Sequence, residues 1–240
     1  MINFNRENEP DMYGKLLWEN PDNPYVINKN IVEYDMRSAS LSVSRRFKLL
    51  PDTLLDELER MPKDVRTKKI GLLQKDDKVF SDNLINAILQ TRKEFIQQNG
   101  ITSDDIVTLH SDALMFIQKH PIQDNIGTVQ FVKKNVWTSY IRYGRVEMFY
   151  DDGVITYKGL PKEMIQQHTM GINKYLLIIF DKLESDDQSI FDYIRKFQKR
   201  YLQDKLPEYY YISFGKTGAF KYENLKLFSF IAKIAMDELL

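Results

Sequence analysis

The chain of 240 residues has room for one large or two small domains, and its 43% hydrophobic content supplies a core of useful size. Thirty-four basic residues balance 34 acidic ones, which argues against a polyanion-coating protein while leaving room for a local basic groove. Cysteine is absent, so disulfides, cysteine-ligated zinc and thiol nucleophiles are excluded together.

Residues 1–30 are polar, carry Pro10, Pro21 and Pro24, and read as an irregular arm. No N-terminal segment has the form of a signal peptide, and no apolar run approaches the roughly 18 residues that span a bilayer. The expectation is a cytoplasmic protein, in the host cytoplasm if viral, with no membrane partner. "IVEYDM" at 31–36 predicts a strand that ends beside an acid, Asp35. Serines follow at 38, 40, 42 and 44, a spacing that would put them on one face of a strand. "PDTLLDELERM" at 51–61 predicts a helix capped by Asp52, with Leu54, Leu55, Leu58 and Met61 on one stripe. The basic segment that follows, "KDVRTKKIGLLQKDDK", has no clean period.

Residues 81–99 predict the clearest helix, with Ser81 as N-cap and Gly100 as its stop. "DIVTLHSDALMFI" reads as two short strands around a polar centre or as one buried strand with a tight turn. Residues 129–158 are β in pattern, with a hairpin turn at "DDG", 151–153. "KYLLIIF" at 174–180 fits a buried strand or part of a helix. An amphipathic helix is predicted over 189–203 and a last helix over about 223–239. The tyrosine run "EYYYISF", 208–214, reads better as a packed strand than as a base-stacking platform. This irregular order of strands and helices predicts an α+β fold with an antiparallel sheet.

Two acids, Asp35 and Asp112, sit in apolar strand contexts. Such an acid is costly unless paired, hydrogen-bonded or bound to metal. Two of them on neighbouring strands could share Mg²⁺, which takes a few carboxylates together with phosphate oxygens; a turn acid is the plain alternative for each. Of the three histidines, His110, His120 and His168, only His110 lies near one of these acids, and a hydrogen-bonding role at a strand end suits it better than metal ligation.

The ordered set of motifs resembles a shortened palm and thumb of family B DNA polymerases. "DMRSASLS" is similar to the first palm motif, with Asp35, Ser38 and Ser42 matching and the usual Tyr-Pro absent. "LHSDALMF" stands where the family carries a Tyr-Gly-Asp-Thr-Asp-Ser hairpin and keeps one acid, Asp112. "FVKKNVWTSY", the 151–153 turn and "KGL" then follow in the family's order.

The resemblance implies a palm-like domain over 31–160, with a reduced fingers-like helical insertion at 51–100, and a thumb-like helical region over 161–240. It implies Asp35 and Asp112 as catalytic metal ligands for Mg²⁺, with Mn²⁺ as the alternative. Ser38 with nearby amides, and Arg66, Lys68 and Lys69, would meet a nucleoside triphosphate. Lys133, Lys134, Tyr140 and Lys158 would track DNA or RNA. Full fingers and an exonuclease domain have no room.

Two functions follow as expectations. One is a compact nucleotidyltransferase of phage or mobile-element origin that extends a nucleic-acid 3′ end by two-metal chemistry. The other is a catalytically inactive palm-like protein that binds nucleic acid or a replication or transcription enzyme.

Overall fold

The structure, a computed structural model, describes residues 11–214 and 224–239. Residues 1–10 of the expected arm and residue 223 of the last expected helix lie outside the described residues, as does the side chain of His168. The fold is α+β and divides into two compact units. The first holds residues 1–22 and 32–135, and the second holds 23–31 and 136–240.

In the first unit a six-stranded sheet runs in the order β1-β4-β5-β3-β7-β6. Its strands are β1 (Leu17–Glu19), β3 (Ile31–Met36), β4 (Ile106–His110), β5 (Ala113–Ile117), β6 (Asn125–Ile126) and β7 (Val129–Trp137). The pairs β1–β4, β4–β5 and β6–β7 are antiparallel. β3 therefore lies beside the β4–β5 hairpin, and Met36 N–H donates to the Asp112 carbonyl at 3.0 Å. The expected irregular arm supplies β1, whose Leu17, Trp18 and Glu19 pair with His110, Leu109 and Thr108.

Four helices join this unit: α1 (Ala39–Phe47), α2 (Asp52–Arg60), α3 (Lys63–Asp76) and α4 (Lys78–Gln98). The even-spaced serines lie in and before α1 rather than on a strand. The chain turns there because Ser38 takes the left-handed conformation (φ 50°, ψ 49°) directly after β3. The α2 cap is Pro51, with Asp52 as the first helical residue. α4 starts three residues ahead of the expectation because Asp77, not Ser81, accepts the Phe80 N–H at 2.9 Å. The basic segment without a period is α3; Ile70 is its one buried residue, so most of its circumference is polar.

The core of the first unit is aromatic where β3, β5 and β7 meet α4. Phe95 stacks on Phe131 with ring centroids 4.0 Å apart, and Tyr34 and Phe116 complete the group. Tyr34 and Met36 point into this core, so Asp35 between them points to the opposite face of β3.

The second unit has a four-stranded antiparallel sheet in the order β10-β9-β8-β2, comprising β2 (Tyr25–Val26), β8 (Ser139–Tyr143), β9 (Val146–Asp151) and β10 (Val154–Lys158). Asp152 and Gly153, both at positive φ, make the expected β9–β10 turn. Helices α5 (Lys162–His168), α6 (Met170–Glu184), α7 (Ile190–Leu202), α8 (Glu208–Phe214) and α9 (Asn224–Leu239) follow.

The 174–180 segment is helical because Ile172, Tyr175, Leu176, Ile179, Phe180 and Leu183 are buried at three- and four-residue spacing. The tyrosine run is a correction: it forms α8, not a strand. Ser213 and Phe214 are buried there, and Tyr210, one turn earlier, packs with its ring centroid 5.0 Å from that of Phe197, so the inward residues recur at helical spacing.

Candidate functional site

Asp35 and Asp112 line one cavity of about 440 Å³ in the first unit. β3 delivers Asp35 from its outer face, and the β4–β5 turn delivers Asp112. Two backbone arrangements set their relative placement. The Asp112 carbonyl accepts from Met36, the residue after Asp35. Arg37 N–H, one residue on, donates to the Gln130 carbonyl on β7 at 2.8 Å, which holds the far side of the same strand end.

Four cationic side chains share this cavity with the two acids: Arg37, Lys63, Arg66 and Lys134. Lys134 Nζ is 3.9 Å from Asp35 Oδ2. The Arg66 guanidinium donates to Ser38 Oγ at 3.3 Å, across the N-terminus of α1. The amides of Ala39 and Ser40 precede the first α1 bonds, which run from Leu41 and Ser42 N–H to the Ser38 carbonyl. The lining therefore mixes four cationic groups with two carboxylates, and Lys134 stands against Asp35.

The Asp35 carboxyl is pushed above its ordinary range, first by burial and then by the neighbouring Asp112 charge. Lys134 and Lys63 pull in the other direction. Arg92, on α4 behind the Asp112 turn, is lowered to about 10 by burial, with Asp112 opposing the shift.

The expected site residues separate. Asp35, Asp112, Ser38, Arg66 and Lys134 come together in the cavity. Lys68 and Lys69 stand outside its lining; Lys69 Nζ pairs with Glu57 at 2.6 Å. Lys133 and Lys134 diverge because adjacent strand residues point to opposite faces. Lys133 Nζ donates to Gln118 at 2.9 Å and lies 5.7 Å from the Tyr34 ring centroid. Tyr140, in the second unit, is fully buried and donates its hydroxyl to Glu147 at 3.1 Å, so a ligand does not reach it. Lys158, also in the second unit, lies 5.6 Å from the Trp137 ring centroid. His110 Nε2 lies 3.3 Å from Thr108 Oγ1, a strand-end hydrogen bond.

Lys63 was not foreseen. It shares a face of α3 with Arg66, Thr67, Ile70, Gly71 and Gln74, and all six line the cavity at helical spacing. Pro62 as N-cap was the available signal for that helix.

Glu33, two residues before Asp35 on β3, is outside the cavity lining, and its Oε2 accepts from Asn135 at 2.5 Å. Among the described residues no group of three or more histidine, aspartate or glutamate side chains gathers as a metal site. Two carboxylates are still a set that Mg²⁺ accepts when water and substrate phosphates complete six oxygens. The raised Asp35 carboxyl, held next to a second acid, fits such a cation, because a bound cation would relieve the repulsion.

No described helix is long and apolar enough to cross a membrane. A search of curated proteins finds no match. Residues 9–237 match a family described as the bacteriophage PBS1 gene 130 protein, and the chain belongs to that phage family.

Proposed function

We propose that the first unit is a palm-like nucleotidyltransferase module that acts on a nucleoside triphosphate and a DNA or RNA 3′ end. The observation that carries this reading is the convergence of Asp35 and Asp112 on one cavity with Lys63, Arg66 and Lys134. The placement of β3 directly beside the β4–β5 hairpin supports it, because palm chemistry needs the two acids on neighbouring elements.

Asp35 and Asp112 would hold Mg²⁺ or Mn²⁺. Bound there, the ion supplies charge neutralisation at phosphate and activation of an attacking hydroxyl. The chain's own groups do the rest. Arg66 and Lys63 face the phosphates from α3, and the first-turn amides of α1 beside Ser38 offer donors to the same oxygens. Lys134 balances the charge of Asp35. Lys133 points away from the cavity on β7 and has no role in this reading.

A primer-extension assay with Mg²⁺ or Mn²⁺ tests the proposal. Wild type should extend a primer, and Asp35→Ala or Asp112→Ala should lower the rate by at least about a hundredfold. Extension that survives both substitutions sinks the catalytic reading.

A second reading has one observation in its favour: among the described residues, two carboxylates line the cavity. In that reading the unit binds nucleic acid, or a replication or transcription enzyme, without turnover. Salt-dependent retention of an oligonucleotide by a wild type that extends no primer would favour it.

A further inference from the structure

Asp112 sits on the turn between β4 and β5, and the turn has little side-chain packing of its own. Ser111 is exposed and at positive φ (21°), and Asp112 is half-buried. From the cavity side the turn is held by one backbone bond, Met36 N–H to the Asp112 carbonyl.

From behind, the Ser111 N–H donates to the Leu16 carbonyl at 2.5 Å, and Arg92 adds a side-chain brace. That side chain is 1% exposed, and its guanidinium donates to the Ser111 carbonyl at 3.0 Å, to Leu16 O at 3.3 Å and to Met12 O at 3.4 Å. A fourth bond goes to the Lys15 carbonyl. None of the four partners is a carboxylate. A buried cation paired only with carbonyl dipoles is a costly way to fill space, and an apolar residue of similar volume would fill it more cheaply. What the guanidinium does that an apolar chain cannot is brace, with a rigid fork, two backbone segments that otherwise meet here through the Ser111 amide bond. One segment is residues 12–16, the lead into β1; the other is the turn that ends at Asp112.

We infer that Arg92 is a positioning residue: it fixes the Ser111–Asp112 turn so that the Asp112 carboxylate faces the cavity. The inference about metal loading rests on the proposed function; the inference about the turn does not. Arg92 touches neither substrate nor metal. Lysine cannot replace it, because one ammonium cannot reach carbonyls on both segments in the planar geometry of the fork.

The full-length chain tests this with Arg92→Lys and Arg92→Met, read in two ways. Hydrogen–deuterium exchange over residues 106–117 should speed up by about tenfold or more in both variants, while α4 and the sheet of the second unit keep their protection. Mn²⁺ alone, titrated by the loss of its free electron-paramagnetic-resonance signal, should bind about 10- to 100-fold more weakly in both. Asp35→Asn is the control: it should weaken Mn²⁺ binding without speeding exchange at the turn. If exchange at 106–117 is unchanged in both variants, the inference is overturned. It is equally overturned if protection is lost throughout the first unit, because Arg92 is then a general core residue. If wild type binds no Mn²⁺, the proposed function fails, and exchange at the turn decides the role of Arg92 by itself.

Discussion

Burial and the neighbouring Asp112 charge both disfavour an ionised Asp35, so removing that charge should raise stability at neutral pH. Burial and the Asp112 charge both lift its pKa, with Glu33 adding to them. The opposing contact, Lys134 at 3.9 Å, joins side chains that are 49% and 34% exposed, so it is worth no more than about 1 kcal/mol. Asn fills nearly the same volume without the charge. Asp35→Asn should therefore stabilise the first unit by a few tenths to about 1 kcal/mol. For a unit of about 125 residues that is a rise in Tm of up to about 4 °C.

The pH dependence has a definite sign. A carboxyl whose folded-state pKa lies above its unfolded value keeps its proton longer in the folded chain. Stability then falls as pH rises through that window. The advantage of Asn should be absent below the unfolded value of about 3.9 and complete above the folded pKa. Trp18 lies in β1 of the first unit, and the other tryptophan, Trp137, belongs to the second. Thermal melts followed by Trp18 fluorescence in a Trp137→Phe background, with a chelator present, isolate the transition of interest. Adding Mg²⁺ at about ten times its dissociation constant should raise wild-type stability by about 1.4 kcal/mol and leave Asp35→Asn unmoved. The reasoning is refuted if Asp35→Asn is the less stable protein at pH 7.5 without metal, or if Mg²⁺ raises both alike.

Two further outcomes concern the second unit. The Asp187 carboxyl is pulled down to about 2, first by the Lys182 ammonium and then by hydrogen bonds from Ser189. The stability it contributes is present above the unfolded pKa of about 3.9 and is lost as pH falls toward 2. Asp187→Asn should therefore melt lower than wild type at pH 6, with the gap closing as pH falls through about 2, and an NMR titration of the carboxyl should show a midpoint near 2. Gly171 lets α6 approach α8: a Cβ there would stand 2.6 Å from the Tyr209 carbonyl and 2.8 Å from Tyr210 Cα. Gly171→Ala should cost about 1–3 kcal/mol in denaturant unfolding, through displacement of backbone that has no flexible end to give way.

Strands whose neighbours bury one face were legible in the sequence. The run 31–36 alternates a core-facing set with Glu33 and Asp35, and of the two readings open for "DIVTLHSDALMFI" the one with two short strands around a polar centre is the one found. The hairpin at 151–153 was legible because Asp-Gly tolerates positive φ. The phage origin expected from the motif order agrees with the family.

α3 was not legible, for a physical reason. It buries Ile70 and otherwise faces solvent and the cavity, so no apolar stripe marks its period. Once it is a helix, the division among its cations follows: Lys63 and Arg66 share the cavity face, and Lys68 and Lys69 do not. The separation of Lys133 from Lys134 needed only the two-residue period of a strand. The burial of Tyr140 did not show in its local sequence, because its partner Glu147 lies across the β8–β9 hairpin. Arg92 was invisible for the same reason: its acceptors are backbone carbonyls 19 to 80 residues away, and carbonyls carry no sequence signal.

The mixture of charges in the cavity separates the two functional readings. A groove built only to hold a nucleic-acid backbone gains from every cation and loses from every carboxylate, because its affinity follows the number of phosphates neutralised. Two acids on the cavity wall would weaken such a groove, and Asp35 bears the burial and like-charge cost as well. A groove built for a cation alone has the opposite difficulty, since Arg37, Lys63, Arg66 and Lys134 repel it. A ligand that brings a divalent cation and phosphate together satisfies both kinds of charge at once, with carboxylates meeting the metal and cations meeting the oxygens. The binding-only reading explains the lysines and arginines but gives Asp35 and Asp112 no task. The metal–triphosphate reading gives a task to each charged group on the wall. It therefore predicts that nucleoside triphosphate and Mg²⁺ bind this unit more tightly together than either does alone, and that Asp35→Asn abolishes this mutual gain while leaving the affinity for triphosphate by itself equal or higher.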